Sequence, residues 1–159
     1  MSARVGIGYD SHRFAEGRPL ILGGVEIPYE RGLTGHSDAD VLTHAVMDAL
    51  LGAAGLGDIG MHFPDTDERW RDADSIELLR AVREQLSDAG YTPANIDATL
   101  ACEEPRLAPL RDEMRTRLAE AAGLDPSAVN VKFTTGERMG FVGRGEGIAA
   151  LAIATVAGA

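Results

Sequence analysis

Cysteine is almost absent: Cys102 is the only one in 159 residues, so no disulfide can form within the chain. That usage fits a reducing compartment. Long apolar runs are missing too. The longest, Ile148 to Val156, falls far short of the roughly 20 residues that a spanning helix needs. The opening Met1-Ser2-Ala3-Arg4 carries no apolar signal core and leads straight into a strand-like run. Positive charge is scarce, with 15 Lys and Arg against 25 Asp and Glu and a formal net charge of −10. A broad nucleic-acid surface is excluded on that balance, because phosphate backbones attract basic patches. The expectation is a cytoplasmic protein with no nucleic-acid or membrane partner. An anionic ligand would have to be held by metal ions, backbone N–H groups and a few local basic side chains.

No repeat, low-complexity tract or linker divides the chain, which predicts a single domain over residues 1–159. A chain of this size buries about 70% of its unfolded surface and needs no covalent staples. Strand-like and helix-like segments alternate. Val5 to Phe14 reads as a strand whose even positions, Gly6, Gly8, Asp10 and His12, share one face. Its two glycines leave room for something to approach. Leu20 to Ile27 reads as a second strand, turned or bulged at Gly23-Gly24. Ser37 or Asp38 is a suitable N-cap for a helix running to about Ala54, with Asp40, His44 and Asp48 beside its apolar stripe. Asp74 to Glu77 resembles a capping box for a helix ending at Gly90. Ile96 to Cys102 and Val129 to Thr135 read as strands. Leu107 to Leu118 carries helical spacing that stops at Gly123. Large-small alternation from Gly147 to Val156 favours a strand. A mixed α+β two-layer sandwich follows, with helices covering one face of the sheet.

Three clusters carry chemistry. The first is Asp10, His12 and His44. Two imidazoles and a carboxylate make an open three-ligand metal set that leaves a position for water or substrate. Read singly, each residue is an ordinary surface or core polar group. The second runs from Leu56 through Asp58-Ile59-Gly60 to Phe63-Pro64-Asp65-Thr66-Asp67. It is either a polar loop in which Asp67 caps a turn, or a substrate loop on a rigid scaffold. The third joins Thr134-Thr135-Gly136-Glu137 to Gly140-Phe141 and Gly143-Arg144-Gly145-Glu146-Gly147. Hydroxyl and N–H groups at a strand end can hold phosphate, and Glu137 can hold Mg²⁺. The plain alternative is a glycine-rich hairpin with Arg144 paired to Glu146. The spacing matches neither a P-loop nor the dinucleotide fingerprint. Glu103-Glu104-Pro105-Arg106 reads as a strand-to-helix turn that could present backbone groups to a base edge.

In this order and at these spacings, the clusters resemble the 2-C-methyl-D-erythritol 2,4-cyclodiphosphate synthase family over essentially the whole chain. The most specific pieces are Asp10-Ser11-His12, His36-Ser37-Asp38-Ala39-Asp40 through His44, Gly57 to Asp67, and Gly143 to Gly147. The resemblance implies a lyase of the non-mevalonate isoprenoid pathway. Its substrate would be 4-diphosphocytidyl-2-C-methyl-D-erythritol 2-phosphate, closed to the cyclic diphosphate with loss of CMP. It implies a homotrimer whose sheets pack around the trimer axis, with active sites between subunits. By the same resemblance, Asp10, His12 and His44 would bind Zn²⁺, and the first two would also touch substrate. Glu137 would hold Mg²⁺ or Mn²⁺ on the diphosphate. His36 and Thr135 would stabilise the transition state, with Ser37 beside the methylerythritol phosphate. Asp58, Ile59, Gly60, Phe63, Pro64, Asp65, Thr66 and Asp67 would hold the erythritol part. Cys102, Pro105, Arg106, Leu107 and Ala108, with Thr134 and Thr135, would form the cytidine and diphosphate pocket. Phe141 and Arg144 would line a central cavity, where an isoprenoid ligand is a further candidate partner, and add substrate contacts.

Three positions depart from the family pattern. Gly136 stands where many members carry a third Thr, Arg106 replaces a common Lys, and Glu103-Glu104 adds negative charge beside the nucleotide pocket. The expectation is that both glutamates face solvent. Two other functions use the same residues: a zinc-dependent phosphohydrolase that activates water, and a trimeric isoprenoid-binding protein with a structural zinc.

Overall fold

Period-two alternation runs through the two longest strands of the computed structural model, which describes residues 3–158. Strand β1 (Ala3–Ala15) buries Gly6 and Gly8 and exposes Val5, Ile7 and Tyr9. The last strand alternates in the same way, burying Ala150, Ala152 and Ala154 and exposing Leu151 and Ile153. In chain order β1 is followed by β2 (Leu20–Leu22), β3 (Val25–Ile27) and β4 (Gly32–Leu33). Next come α1 (Val41–Ala54), α2 (Ile59–His62), α3 (Ser75–Asp88) and β5 (Tyr91–Ala101). The chain ends with α4 (Arg111–Ala122), β6 (Val129–Thr134), α5 (Gly140–Gly143) and β7 (Gly147–Gly158).

The main sheet has the order β4-β1-β7-β5-β6. Every pairing in it is antiparallel except β5 with β6. The predicted second strand is a hairpin of β2 and β3, turned where Gly23 and Gly24 take φ of 57° and 73°. Helices α1, α3 and α4 cover one face and enclose the core. The opposite face is bare. Val5, Ile7 and Tyr9 stand exposed there beside Leu151 and Ile153, with Ile7 directly opposite Ile153. Among the described residues no helix is long and apolar enough to cross a membrane.

What approaches the two glycines of β1 is helix α1 rather than a ligand. A Cβ at Gly8 would stand 1.9 Å from the carbonyl oxygen of Ala45, and one at Gly6 would stand 2.0 Å from that of Ala49. Glycine is needed where two backbones come this close. The close approach brings His44, the neighbour of Ala45, down onto the strand that carries Asp10 and His12.

Helix α1 begins later than predicted. Its N-cap is Asp40, because Ala39 sits in the left-handed region at φ 59° and breaks any earlier start. The buried Asp40 carboxylate accepts from the N–H groups of Gly23, Gly24 and Thr43 and from the Thr43 hydroxyl. It ties the hairpin to the helix and, rather than bonding to the His44 ring, acts on it only through its charge. Asp74 caps α3 as expected, but Glu77 pairs with Arg80 instead of reaching back, so the box is incomplete. The segment expected as a hairpin instead forms the short helix α5 and a turn that leads into β7, although Arg144 does pair with Glu146 at 2.6 Å.

Candidate active site

Asp10 and His12 project from the same face of β1, and His44 meets them from α1. The Asp10 Oδ2 atom lies 2.9 Å from His12 Nε2 and 3.1 Å from His44 Nδ1, and the two nitrogens are 3.4 Å apart. Ligand atoms about 2.0–2.1 Å from a tetrahedral zinc lie roughly 3.3–3.4 Å from one another. The triangle therefore has nearly the edges of a metal's ligand face.

The far side of each ring fixes its proton. His12 Nδ1 sits 2.9 Å from the carbonyl oxygen of Thr34, which can only accept. His44 Nε2 sits 2.9 Å from Ser75 Oγ, and that hydroxyl in turn donates to Asp38. Ser37 Oγ lies 3.1 Å from the same nitrogen. Both rings thus donate outward and turn bare nitrogens toward a carboxylate oxygen. Three lone pairs aimed at one point repel unless a cation joins them, and outward hydrogen bonds of this kind orient metal-bound histidines. The residues fit a divalent transition metal.

The electrostatics agree. Burial opposes ionisation of Asp10, but hydrogen bonds and attraction from His12 and His44 outweigh it, and the carboxyl is held well below the usual carboxylate range. Burial likewise opposes charge on His44, yet the Asp10 carboxylate holds its pKa above the ordinary histidine value. Without a metal the cluster draws in a proton.

The triad opens into a cavity of about 380 Å³. Predicted residues His36, Ser37, Ile59, Gly60, Phe63, Pro64 and Asp65 line it. His36 donates from Nε2 to the Asp67 carbonyl at 2.9 Å, which leaves Nδ1 free. Arg18 donates to the carbonyls of Gly35 and Ser37 and so brackets His36. Asp58, Thr66 and Asp67 do not line this cavity. Asp58 caps α2, and Asp67 caps the turn at Glu68–Trp70 and grips Arg69. Trp70, Met47 and Leu78 do line it, and sequence reasoning missed them. Trp70, the lone tryptophan just past the polar loop, was a signal that could have found the first.

A second cavity, of about 170 Å³, gathers Cys102, Pro105, Arg106, Leu107, Ala108, Thr134 and Thr135. Phe133 and Glu103 complete it. Burial, reinforced by the Glu103 charge, pushes the Cys102 thiol up to about 12, which makes it a packing group. Glu103 departs from expectation. It turns inward and accepts from the N–H groups of Gly136 and Arg138, whereas Glu104 is exposed. Gly136 is also explained: a Cβ there would stand 2.5 Å from the Gly143 nitrogen, so this turn has no room for a threonine. Glu137 lines neither cavity. Phe141 borders a separate recess with Ser11, Arg13 and Glu146, and Arg144 lies in another beside Glu104.

A two-layer α+β sandwich that aims a carboxylate and two bare imidazole nitrogens into a cavity is the arrangement of a metal-dependent enzyme. Residues 3–157 match the model of the YgbB family, and the chain belongs to that family. It is 63% identical to a 2-C-methyl-D-erythritol 2,4-cyclodiphosphate synthase of Salinibacter ruber, across 96% of this chain and 98% of that one. The solved bifunctional IspDF of Campylobacter jejuni matches with a TM-score of 0.94 at 43% identity, covering 98% of this chain and 42% of that larger one. A 2C-methyl-D-erythritol-2,4-cyclodiphosphate synthase solved with CDP bound gives a TM-score of 0.88 at 38% identity, covering 97% and 100%.

Proposed function

We propose that this chain is a 2-C-methyl-D-erythritol 2,4-cyclodiphosphate synthase, a lyase of non-mevalonate isoprenoid biosynthesis working as one domain in the cytoplasm. The names of its relatives support the reading. The observation that carries it is the convergence of Asp10, His12 and His44 beside a cavity lined by His36 and Ser37.

In the reaction, an oxygen of the substrate's 2-phosphate bonds to the β-phosphorus, the bond from that phosphorus to the bridging oxygen breaks, and CMP leaves with the bridging oxygen on its α-phosphorus. The attacking phosphate is already ionised near neutral pH, so no activated Ser or Cys is required. Tethering nucleophile to electrophile removes much of the entropic barrier. What remains for the protein is positioning and charge stabilisation. Zn²⁺ on the Asp10, His12 and His44 face, with Mg²⁺ or Mn²⁺ on Glu137, would screen the phosphates and polarise the β-phosphoryl oxygens. His36, held through Nε2 by the Asp67 carbonyl, stands in the cavity wall, while Ser37 and the Ile59–Asp65 segment hold the methylerythritol end. Arg106, Thr134 and Thr135 hold the CDP end. Two divalent ions held at these residues would let an acidic chain accept so anionic a substrate.

We also propose that the working unit is a homotrimer with sites shared between copies. Asp10, Ala150, Leu100 and Phe133 stand in register across β1, β7, β5 and β6. Three strand spacings, on the order of 14 Å, therefore separate the metal strand from the strand that leads to the nucleotide cavity. The bare apolar face between them supports packing of sheet against sheet, so that one copy's metal cavity meets a neighbour's nucleotide cavity. Phe141 and Arg144 would then lie toward the axis.

Incubating the purified protein with the diphosphocytidyl substrate and following phosphorus NMR tests the reading. Cyclic diphosphate and CMP in equal amounts support it. An opened phosphate product would favour a hydrolase, and an unchanged substrate beside a tightly bound isoprenoid would favour a binding protein.

A further inference from the structure

We infer that Glu103 is a positioning residue that locks the turn bearing Thr135 and Glu137. The inference rests on the proposed role of that turn at the diphosphate. Glu103 Oε1 accepts from the Gly136 N–H at 2.7 Å, and Oε2 accepts from the Arg138 N–H at 3.3 Å. Between and beside these bonds, Glu137 and Arg138 take φ of 51° and 62°. Two consecutive non-glycine residues in the left-handed region persist only where their surroundings hold them. Glu103 is well anchored for the task. The Cys102 N–H donates to the Thr134 carbonyl at 2.9 Å, extending the β5–β6 ladder to the residue before it.

Successive N–H groups in such a turn form a concavity that binds anions. Here the Glu103 carboxylate is that anion. Phosphate would thereby be left to the Thr134 and Thr135 hydroxyls, Arg106 and any cation that Glu137 would hold, and the Glu103 charge is taken up by the backbone instead of repelling the ligand. A glutamate beside a diphosphate site thus becomes an aid to binding.

The test compares Glu103→Ala and Glu103→Gln with the wild type by calorimetric titration of CDP in Mg²⁺, zinc content, and amide exchange at Gly136 and Arg138. Glu103→Ala is expected to bind CDP about tenfold more weakly and to exchange faster at both amides, because both charge-assisted bonds are gone. Glu103→Gln keeps one acceptor oxygen and is expected to fall between the two. Zinc content should not change, since the Asp10 cluster lies elsewhere. Unchanged or tighter CDP binding by Glu103→Ala would overturn the inference, and so would unchanged exchange. If Glu103→Ala does not fold, Glu103→Gln decides by the same two readouts. If the wild type binds no CDP, the proposed function fails, and amide exchange still tests the lock by itself.

Discussion

The Nε2 atom of His12 and the Nδ1 atom of His44 stand 3.4 Å apart, on a strand and a helix 32 residues apart in sequence. Each ring has its other nitrogen engaged, His12 by Thr34 and His44 by Ser75. The pair is thus held with its inner nitrogens facing one point before any ion arrives. A site built this way gains affinity because little is left to reorganise.

Ser75→Ala should loosen the metal without touching it. Ser75 is fully buried and passes a hydrogen bond from His44 to Asp38. Its loss leaves the Nε2 proton of His44 dependent on Ser37 alone. Competitive zinc titration should show affinity down by about 10–100-fold. Thermal unfolding should show a cost of about 1–3 kcal/mol. Unchanged zinc affinity would remove Ser75 from the account.

The cluster also sets a pH dependence. The His44 pKa is raised, so its contribution to the metal-free fold is full below about pH 6.5 and is lost as pH rises through the folded value. Asp10 is depressed, so its contribution holds above about pH 4 and is lost as pH falls toward its folded value. Metal-free protein should therefore be most stable in the mildly acidic range between them. Zinc must displace the His44 proton, so its affinity should rise with pH until that proton is gone, with proton release on binding. Melting temperatures across pH 5 to 9 (about the range in which histidines titrate), with and without zinc, check both slopes. A zinc affinity flat across that range would contradict the assignment of His44.

Gly8→Ala adds one methyl group to the tightest point of the fold. Its Cβ would stand 1.9 Å from the Ala45 carbonyl oxygen, and neither backbone can give way alone. A loss of about 3 kcal/mol or more is expected, together with weaker zinc binding because α1 carries His44. Denaturant titration of the variant measures the first, and zinc titration the second. A variant as stable as the wild type would show that α1 does not need this contact.

Ile7→Asp probes the bare face. Ile7 is 65% exposed in the isolated chain and faces no helix, so the monomer fold should change by only about 0.5 kcal/mol. A charge placed within an apolar interface should break assembly. Sedimentation should show a folded monomer with little turnover. A stable trimer of the variant would move the interface elsewhere.

Much of this was legible in the sequence. Alternation in β1 placed Asp10 and His12 on one face, and the same period identified β7 despite its helix-friendly alanines. The convergence of Asp10, His12 and His44 could be read from the spacing, and the grouping of Cys102, Pro105, Arg106, Leu107 and Ala108 with Thr134 and Thr135 from the family resemblance, but not the places of Phe133 and Glu103 in that cavity. What was hidden depended on partners distant in the chain. Asp40 looked like a companion of His44, but its place as N-cap follows from the Gly23-Gly24 turn folding onto it. Glu103 looked solvent-facing because an unpaired carboxylate belongs in water, and only the turn at Gly136–Arg138 supplies two donors. Gly6 and Gly8 advertised an approach without saying that a helix makes it. Trp70 enters the cavity through the short turn after Asp67, which local propensity does not specify.

The most direct measurement is a stepwise return of zinc to chelator-stripped protein, following bound ion and cyclic product together, with His44→Ala beside the wild type. The account predicts that product formation rises in proportion to zinc and saturates at one ion per chain, while His44→Ala stays folded, binds little zinc and turns over at least about 100-fold more slowly. Full turnover by stripped wild-type protein, or by His44→Ala, would contradict it.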